Sequence, residues 1–280
     1  MEIFKDINSL KEWRKLHSNK IGLIPTMGAL HKGHLSLIRK SKQLCNQTIV
    51  SIFVNPIQFN KKKDFNSYPK SIENDINTLI SEKVDALFLP THNSMYPSKY
   101  STFVNEEKVS LGLEGESRPG HFKGVTTIVT KLFNIINPTD AFFGEKDAQQ
   151  LRVIQRMVID LNFDINIIPC PIIREKSGLA MSSRNRNLNH ADFNNASIIY
   201  KGLKLAETAL NSGEKSVLNL KKFIKAKINT VKNADVIYVS IANSETLVEL
   251  NKINSNQILI SVAVQFGEVR LIDNITYSFS

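Results

Sequence analysis

Cysteine is scarce: Cys45 and Cys170 are the only two in a chain of 280 residues. That is too few for a disulfide framework or a Cys-rich zinc site, and it suits a reduced compartment, so a cytoplasmic protein is expected. Long apolar runs are missing as well. The longest, Thr48 to Val54 and Ile258 to Phe266, have strand length, far short of the ~18 residues of a membrane span. No membrane association is expected. The first twenty residues carry Glu2, Lys5, Asp6, Lys11, Glu12, Arg14, Lys15 and Lys20 around no apolar core, so no secretory signal is read there. Internal repeats, low-complexity tracts and a nucleophile triad are also lacking. With 42% hydrophobic and 22% charged residues, the composition excludes a disordered or collagen-like chain. A chain of this length buries about three quarters of its unfolded surface and needs no metal or disulfide to fold; it suggests two domains, or one large α/β domain with an appendage.

Acidic residues are fewer than basic ones, 26 against 36, which leaves a net charge of +10. Nucleic-acid binding, a solvating lysine surface and attraction of a small polyanion such as a nucleoside triphosphate all fit that excess. The lysines are scattered. The one tight run, Lys61 to Lys63, falls in an expected loop without the interleaved aromatics of a single-strand platform. Nucleic acid is not expected as a partner.

Hydrophobic spacing sets out the organisation. Ser9 and Glu12 form a capping box ahead of Leu10, Trp13 and Leu16, which predicts a short helix before the first buried strand, Ile21 to Thr26. Helical spacing follows from Leu35 to Cys45, then a continuously apolar strand, Ile49 to Val54. A helix over Ile72 to Val84 and a strand over Ala86 to Leu89 come next. A helical face from Val125 to Ile136, a strand over Ala141 to Phe143, a helix from Ala148 to Val158 and a strand over Ile165 to Ile168 complete about five parallel strands. After Pro169 and Pro171 the pattern changes. A polar, Asn-rich stretch near Ser177 to Asn195 precedes helices near Ala196 to Leu210 and Ser216 to Val231. Ile258 to Phe266 then alternates, turns at Gly267-Glu268 and returns over Val269 to Ile272, an antiparallel hairpin with one buried face. The expected fold is an α/β Rossmann-like parallel-sheet domain over residues 1–172 and a smaller α+β lid domain over 173–280.

Three segments seek anions. His31, Lys32, Gly33 and His34 lie where the first buried strand hands over to a helix, the rim on which open α/β sheets bind ligands. Unpaired helix-start amides attract phosphate there, and Gly33 admits close backbone approach. A metal pair and a structural turn with incidental histidines are the rival readings, but the position points to nucleotidyl transfer. Gly144, Glu145, Lys146 and Asp147 follow a later strand in the same way, where Lys146 can hold phosphates or Asp147 simply cap a helix. Ser182, Ser183 and Arg184 suit a mobile loop closing hydroxyls and a guanidinium over a triphosphate. Gln58, Gln149 and Gln150 can bind hydroxyl and carboxylate groups without charge, or be ordinary surface and helix residues. Both cysteines are read as core residues.

Five motifs in order resemble the pantothenate synthetase (pantoate beta-alanine ligase) family of the nucleotidyltransferase superfamily. They are Pro25 to His34, Phe53 to Phe59, Arg118 to Val125, Phe143 to Gln150 and Gly178 to Asn185, and the likeness continues through Arg270 to Asn274. The resemblance implies a homodimeric, ATP- and Mg2+-using ligase with the ion bound mainly through the triphosphate and no protein metal site. Pantoate would attack the α-phosphate of ATP to give a pantoyl adenylate and pyrophosphate; the amine of β-alanine would then displace AMP. Carried over by position, Met27, Gly28, Ala29, Leu30, His31, Lys32, Gly33 and His34 contact ATP, together with Gly144, Glu145, Lys146, Asp147, Ile173, Met181, Ser182, Ser183 and Arg184. His34, His31 and Lys146 are the catalytic candidates, His34 as the family's designated proton donor or, on its chemistry, a stabiliser of phosphate charge. Gln58 and Gln150 bind pantoate, Gln58 also meeting β-alanine.

The chain departs from the family at Asn60 to Lys63 and at Lys70, where arginine is common; Glu73 to Asp75 is placed to offset that charge. Another nucleotidyltransferase would act on a phosphorylated acceptor, against which the uncharged Gln58 and Gln150 argue. A tRNA-charging ligase has too little chain here for an anticodon module. A non-catalytic nucleotide sensor would not need both histidines and the Ser-Ser-Arg segment.

Overall fold

A computed structural model describes every residue except Ser18, Lys61 and Ser280, and leaves the Lys63 side chain undescribed. The chain divides into two compact units, one of 1–145 and 149–171, the other of 146–148 and 172–280.

The first unit is built on strands β1 (Glu2–Phe4), β2 (Ile21–Thr26), β3 (Gln47–Ile52), β4 (Ala86–Phe88), β5 (Asp140–Gly144) and β6 (Asn166–Cys170). They form one parallel sheet in the order β1-β4-β3-β2-β5-β6. Its helices are α1 (Ile7–Leu16), α2 (Lys32–Leu44), α3 (Lys62–Asn66), α4 (Ile72–Ser81), α5 (His92–Met95), α6 (Leu113–Ser117), α7 (His121–Ile136) and α8 (Ala148–Asp160). Alternate strand residues serve opposite faces. Leu23, Ile49, Ala86 and Ala141 pack with α1, α7 and α8, whereas Ile24, Val50, Leu87 and Phe142 pack with α2 and α4. Cover on both faces is why these strands are apolar throughout.

The unit holds six strands where five are expected from the sequence. β1 is a three-residue edge strand with Ile3 44% exposed, so it carries no buried run to read. The cap of α1 is Asp6, whose Oδ2 accepts the Ser9 N–H at 2.8 Å; Ser9 lies inside the helix. The Lys61 to Lys63 run is a loop by expectation, yet Lys62 and Lys63 open α3, and Lys61 lies outside the described residues. Cys170 is buried and Cys45 half-buried, and burial pushes both thiols up to about 11.

The second unit contains α9 (His190–Asn195), α10 (Ile198–Asn211), α11 (Val217–Ile228) and strands β7 (Ala234–Asn243), β8 (Gln257–Phe266) and β9 (Val269–Ser278), antiparallel in the order β7-β8-β9. Ile260, Val262 and Val264 meet α10 and α11 in one apolar cluster. The hairpin is where the sequence places it, but β7 escapes the pattern because a bulge at Ile237 breaks its alternation. The other face of β8 is not a wet one: Leu259, Ser261 and Ala263 are buried too.

Two features of β2 shape the rim that its C-terminal end presents. Pairing with β5 covers only Gly22 and Leu23, whereas pairing with β3 runs to Thr26. The Thr26 carbonyl accepts from Phe53 N–H on the β3 side, so residue 25 directs its backbone toward β5. Proline there has no N–H to offer, and the gap between β2 and β5 stays open where their chains leave the sheet. Farther back, Gly22 lets α2 lie close, since a Cβ would stand 2.1 Å from Ser41 Oγ and 2.8 Å from Phe142 Cε2.

Gly22→Ala is expected to lower stability by about 1–3 kcal/mol through overpacking, read as a shift in the denaturant midpoint with unchanged slope. With both thiols near 11, each is ionised in about one molecule in a thousand at pH 8. Alkylation of the native protein should therefore be slow at pH 8, accelerate as pH rises toward 11 and become fast on unfolding; rapid native labelling at pH 8 would contradict the burial.

Candidate active site

From the end of β2 the chain turns through Met27 to His31. Gly28 and Ala29 both take left-handed backbone, with φ of 81° and 51°. Glycine is required at 28, where a Cβ would stand 2.9 Å from Asp75 Oδ2 and 3.1 Å from Ile52 Cγ2. The strained alanine is held by hydrogen bonds: Ala29 N–H donates to Asp75 Oδ2 and Leu30 N–H to Asp75 Oδ1, each at 2.8 Å. Gly28 N–H donates to Thr26 Oγ1 at 3.1 Å, and that hydroxyl donates to the Ser51 carbonyl at 2.9 Å. Asp75 is 3% exposed. It is therefore not a surface charge offsetting lysines, as its place in the Glu73 to Asp75 run suggests; it turns inward to accept the Ala29 and Leu30 amides.

His31 and His34 cap α2 reciprocally. His31 Nδ1 accepts the Gly33 N–H at 3.1 Å, and His34 Nδ1 accepts the His31 N–H at a longer 3.4 Å. This is a capping box made from imidazoles. Since each Nδ1 accepts, each neutral ring carries its proton on Nε2 and presents a donor from that atom. The ring centroids are 4.1 Å apart. Lys32 is exposed, and Gly33 and His34 are half-buried.

Gln58 ends a 3-10 turn, Pro56–Gln58, just after β3 and is 7% exposed. Its Nε2 lies 2.9 Å from Met27 Sδ, which places this amide beside the turn after β2. Asn55 Nδ2 donates to Gln58 Oε1 at 3.2 Å and to the Gly124 carbonyl at 3.0 Å. The main chain of Gln58 is fixed from the start of α7. His121 Nδ1 donates to the Gln58 carbonyl at 2.8 Å, and His121 Nε2 accepts from Arg118 Nη1 at 3.1 Å. A Cβ on Gly124 would stand 2.5 Å from Gln58 N, so only glycine admits this approach.

Gln149 and Gln150 divide. Gln149 is 4% exposed; its Oε1 accepts Glu114 N–H at 3.0 Å and its Nε2 donates to the carbonyls of Val109, Leu111 and Gly112 at 3.0 to 3.2 Å. It fastens the 109–114 segment. Gln150, half-buried, makes none of these bonds. Gly144 and Glu145 leave β5, the neighbour of β2 in the sheet, and a Cβ at Gly144 would meet nothing within 4 Å.

The second unit holds the other candidates. Lys146 Nζ lies 3.8 Å from Asp147 Oδ1, with the lysine side chain 19% exposed and the carboxylate 48%. The Lys146 carbonyl accepts from Asn274 Nδ2 at 2.9 Å. Ile173 and Met181 are joined by a Met181 N–H to Ile173 carbonyl bond of 2.9 Å, and an antiparallel bridge links Arg174 to Ala180. Ser182 Oγ accepts Arg184 N–H at 3.2 Å and opens a 3-10 helix, Ser183–Asn187, in which Ser183 and Asn185 are buried. The stretch read as a loop thus has its own fastenings. Arg174 forms a bidentate pair with Asp273, at 2.6 and 3.0 Å, and lies 3.8 Å over the Tyr200 ring. Removal of Asp273 from water raises its carboxyl pKa against the pull of that guanidinium. The C-terminal motif therefore works as support, Asp273 behind 173–181 and Asn274 behind Lys146.

Sequence reasoning gives Asp75 only a charge-offsetting place on the surface and assigns no role to Asn55, His121 or Gly124. The last three sit inside quoted motifs, Asn55 directly before Pro56 at a strand end, and that placement is their only local signal. Asp75 has no such signal, because an acid in the first turn of a helix, here beside Glu73, reads as solvated.

The profile of the pantoate-beta-alanine ligase family matches residues 2–276. Pantothenate synthetase from Pseudothermotoga lettingae is 49% identical over 276 residues, covering 98% of each chain. That of Clostridium botulinum is 50% identical over 274 residues, covering 98% of this chain and 97% of its own. The crystal structure of pantothenate synthetase from Thermus thermophilus superposes with a TM-score of 0.93 at 36% identity over 98% of this chain and 99% of that one. The ligase from Francisella tularensis, crystallised with beta-gamma ATP and β-alanine, gives 0.81 at 38% identity over 98% and 97%. In family, sequence coverage and fold alike, this chain belongs to the pantoate-beta-alanine ligases.

Proposed function

We propose that this chain condenses pantoate with β-alanine, using ATP, through a pantoyl adenylate. The observation that carries the reading is the placement of the Gln58 amide against Met27, beside a turn whose two histidines present Nε2 donors. An uncharged carboxylate-binding group thus adjoins a phosphate-binding one, as attack of a carboxylate on an α-phosphate requires. In the first step a pantoate carboxylate oxygen bonds to the α-phosphorus while the bond to the bridging oxygen breaks and pyrophosphate leaves. In the second the β-alanine nitrogen bonds to the acyl carbon, the acyl–phosphate bond breaks, AMP leaves and the amine gives up a proton.

Met27 to His34 contact ATP in this reading, and His31 and His34 stabilise charge on its phosphates by hydrogen bonds from Nε2. Gly144, Glu145, Lys146 and Asp147 hold the nucleotide, Lys146 on phosphate and Asp147 toward ribose or metal. Ile173, Met181, Ser182, Ser183 and Arg184 also serve ATP, while Gln58 and Gln150 take pantoate and Gln58 also meets β-alanine. Among the described residues no group of three His, Cys, Asp or Glu side chains is arranged to hold a metal. The half-exposed carboxylate of Asp147 fits a hard ion shared with phosphate oxygens, the way magnesium is ordinarily held. Magnesium bound to the triphosphate would neutralise charge on its oxygens. No described helix is long and apolar enough to cross a membrane. Unpaired cysteines support a cytoplasmic setting, and the family resemblance supports a homodimer.

Labelled pyrophosphate should exchange into ATP when pantoate is present and β-alanine absent; no exchange with pantoate or any other carboxylic acid, despite ATP binding, would remove the adenylate mechanism. His34→Ala should lower kcat by about 10²–10³, the usual cost of one transition-state donor, with little loss of stability because a half-buried residue at a helix start lies outside the core. Near-wild-type turnover in the folded variant would remove that role.

Asp75→Asn retains one acceptor and turns an N–H2 toward the second turn amide. Stability should fall by about 1–3 kcal/mol and the KM for ATP should rise, with pantoate affinity much less affected. Thermal melts and ATP titration check both; unchanged ATP affinity would mean that the turn is held without Asp75.

A further inference from the structure

We propose that Tyr96 is a positioning residue for pantoate: through Asn55 it fixes which end of the Gln58 amide faces the substrate. The inference rests on the reading of Gln58 as a pantoate-binding group.

An amide side chain is a donor at one end and an acceptor at the other, and its orientation follows from its partners. Asn55, 1% exposed, is the residue that orients Gln58. Its Nδ2 faces two acceptors, Gln58 Oε1 and the Gly124 carbonyl, at 3.2 and 3.0 Å. Its Oδ1 faces the Tyr96 hydroxyl at 2.9 Å and the Ile57 N–H at a weaker 3.4 Å. A flipped Asn55 would set its oxygen against the Gly124 carbonyl and its amino group against the Ile57 N–H, so one orientation survives. In the Tyr96 bond the phenol must then donate, since Asn55 Oδ1 can only accept.

The consequence reaches Gln58. With Oε1 occupied by Asn55, the end directed at Met27 is Nε2, a pure donor. A donor suits the carboxylate of pantoate, which only accepts, and repels an ammonium group, which only donates. Remove the Tyr96 oxygen, and the buried Asn55 Oδ1 keeps only the 3.4 Å bond from Ile57; the Asn55 orientation, and with it the donor end of Gln58, is held less firmly.

Tyr96 is built for this task. It follows α5, is 6% exposed, and its ring packs against Phe53, Tyr100 and His92 at centroid distances of 6.1, 5.0 and 5.7 Å. Lys131 Nζ lies 5.8 Å over the ring. Burial raises the phenol pKa further above neutrality, so the hydroxyl stays protonated and able to donate. These contacts belong to the ring and survive in Tyr96→Phe, which deletes the donor alone.

The test is pyrophosphate exchange with Y96F, Q58A and the double variant, with KM measured separately for pantoate and ATP. Y96F should raise the KM for pantoate about 3- to 10-fold, the worth of one hydrogen bond, and leave the KM for ATP within about twofold. In the Q58A background Y96F should add nothing further, because the effect passes through Gln58. An unchanged pantoate KM in Y96F, an equal rise for both substrates, a full additional factor in the double variant, or a Y96F protein that does not fold would each overturn the proposal, the last two by showing an independent or merely structural hydroxyl. If Q58A itself leaves the pantoate KM unchanged, the assignment of Gln58 falls and the proposal with it; if Q58A raises that KM while Y96F does not, only the role of Tyr96 falls.

Discussion

The buried carboxylate of Asp75 is the constraint on which the rim of the parallel sheet depends. It accepts two successive amides from a turn whose Gly28 and Ala29 are left-handed. Without an acceptor those amides would be buried and unpaired, a cost of about 1–3 kcal/mol each, and Ala29 would have no reason to remain strained. With the acceptor, the chain leaves β2 in one conformation and starts α2 at a defined angle. The His31 and His34 rings then close on the backbone, and their tautomers are settled by it. A carboxylate under a turn proposed to bind phosphate is electrostatically unfavourable. Its bonds to main-chain donors stabilise it locally, and they also remove the Ala29 and Leu30 amides from the set that can serve phosphate. In the proposed reading phosphate is therefore bound by side chains, above all the imidazole Nε2 donors.

The same logic of main-chain fixation recurs around Gln58. Gly124 comes within reach of its backbone, His121 bonds its carbonyl, and Asn55 orients its amide. None of these residues needs to touch substrate to matter. A rim built of uncharged or singly charged groups can hold two anionic reactants together only if each donor is already aimed, because reorienting buried polar groups during the reaction would cost more than the bonds return. This explains why the motifs are longer than the set of residues proposed to meet ligands: much of Arg118 to Val125 and of Arg270 to Asn274 is support.

Much of the fold is legible in the sequence because the strands of a doubly covered sheet are apolar throughout and its helices carry a clear face. The six-stranded parallel sheet and the small antiparallel sheet are the α/β and α+β parts the pattern implies. What escapes has a physical reason in each case. β1 is short and half-exposed at an edge, and β7 carries a bulge that interrupts its period. The Asp6 cap was hidden by a better-looking Ser9 to Glu12 pair one turn further on, since a capping box is recognised by spacing that a helix interior can also show.

For the candidate site, the sequence displays the residues proposed to meet a ligand, because those cluster in compact motifs at strand ends. It hides the residues that aim them. Asp75 lies 46 positions from Ala29, and Gly124 lies 69 from Asn55, so no local window contains both members of either pair. Gln149 and Gln150 make the same point at closest range: adjacent, chemically identical side chains on α8, one committed to three carbonyls and an amide of the 109–114 segment and the other outside that network. Helical geometry turns successive residues by about 100°, so neighbours in sequence serve different surroundings, and only the packing of α8 against that segment decides which glutamine is structural.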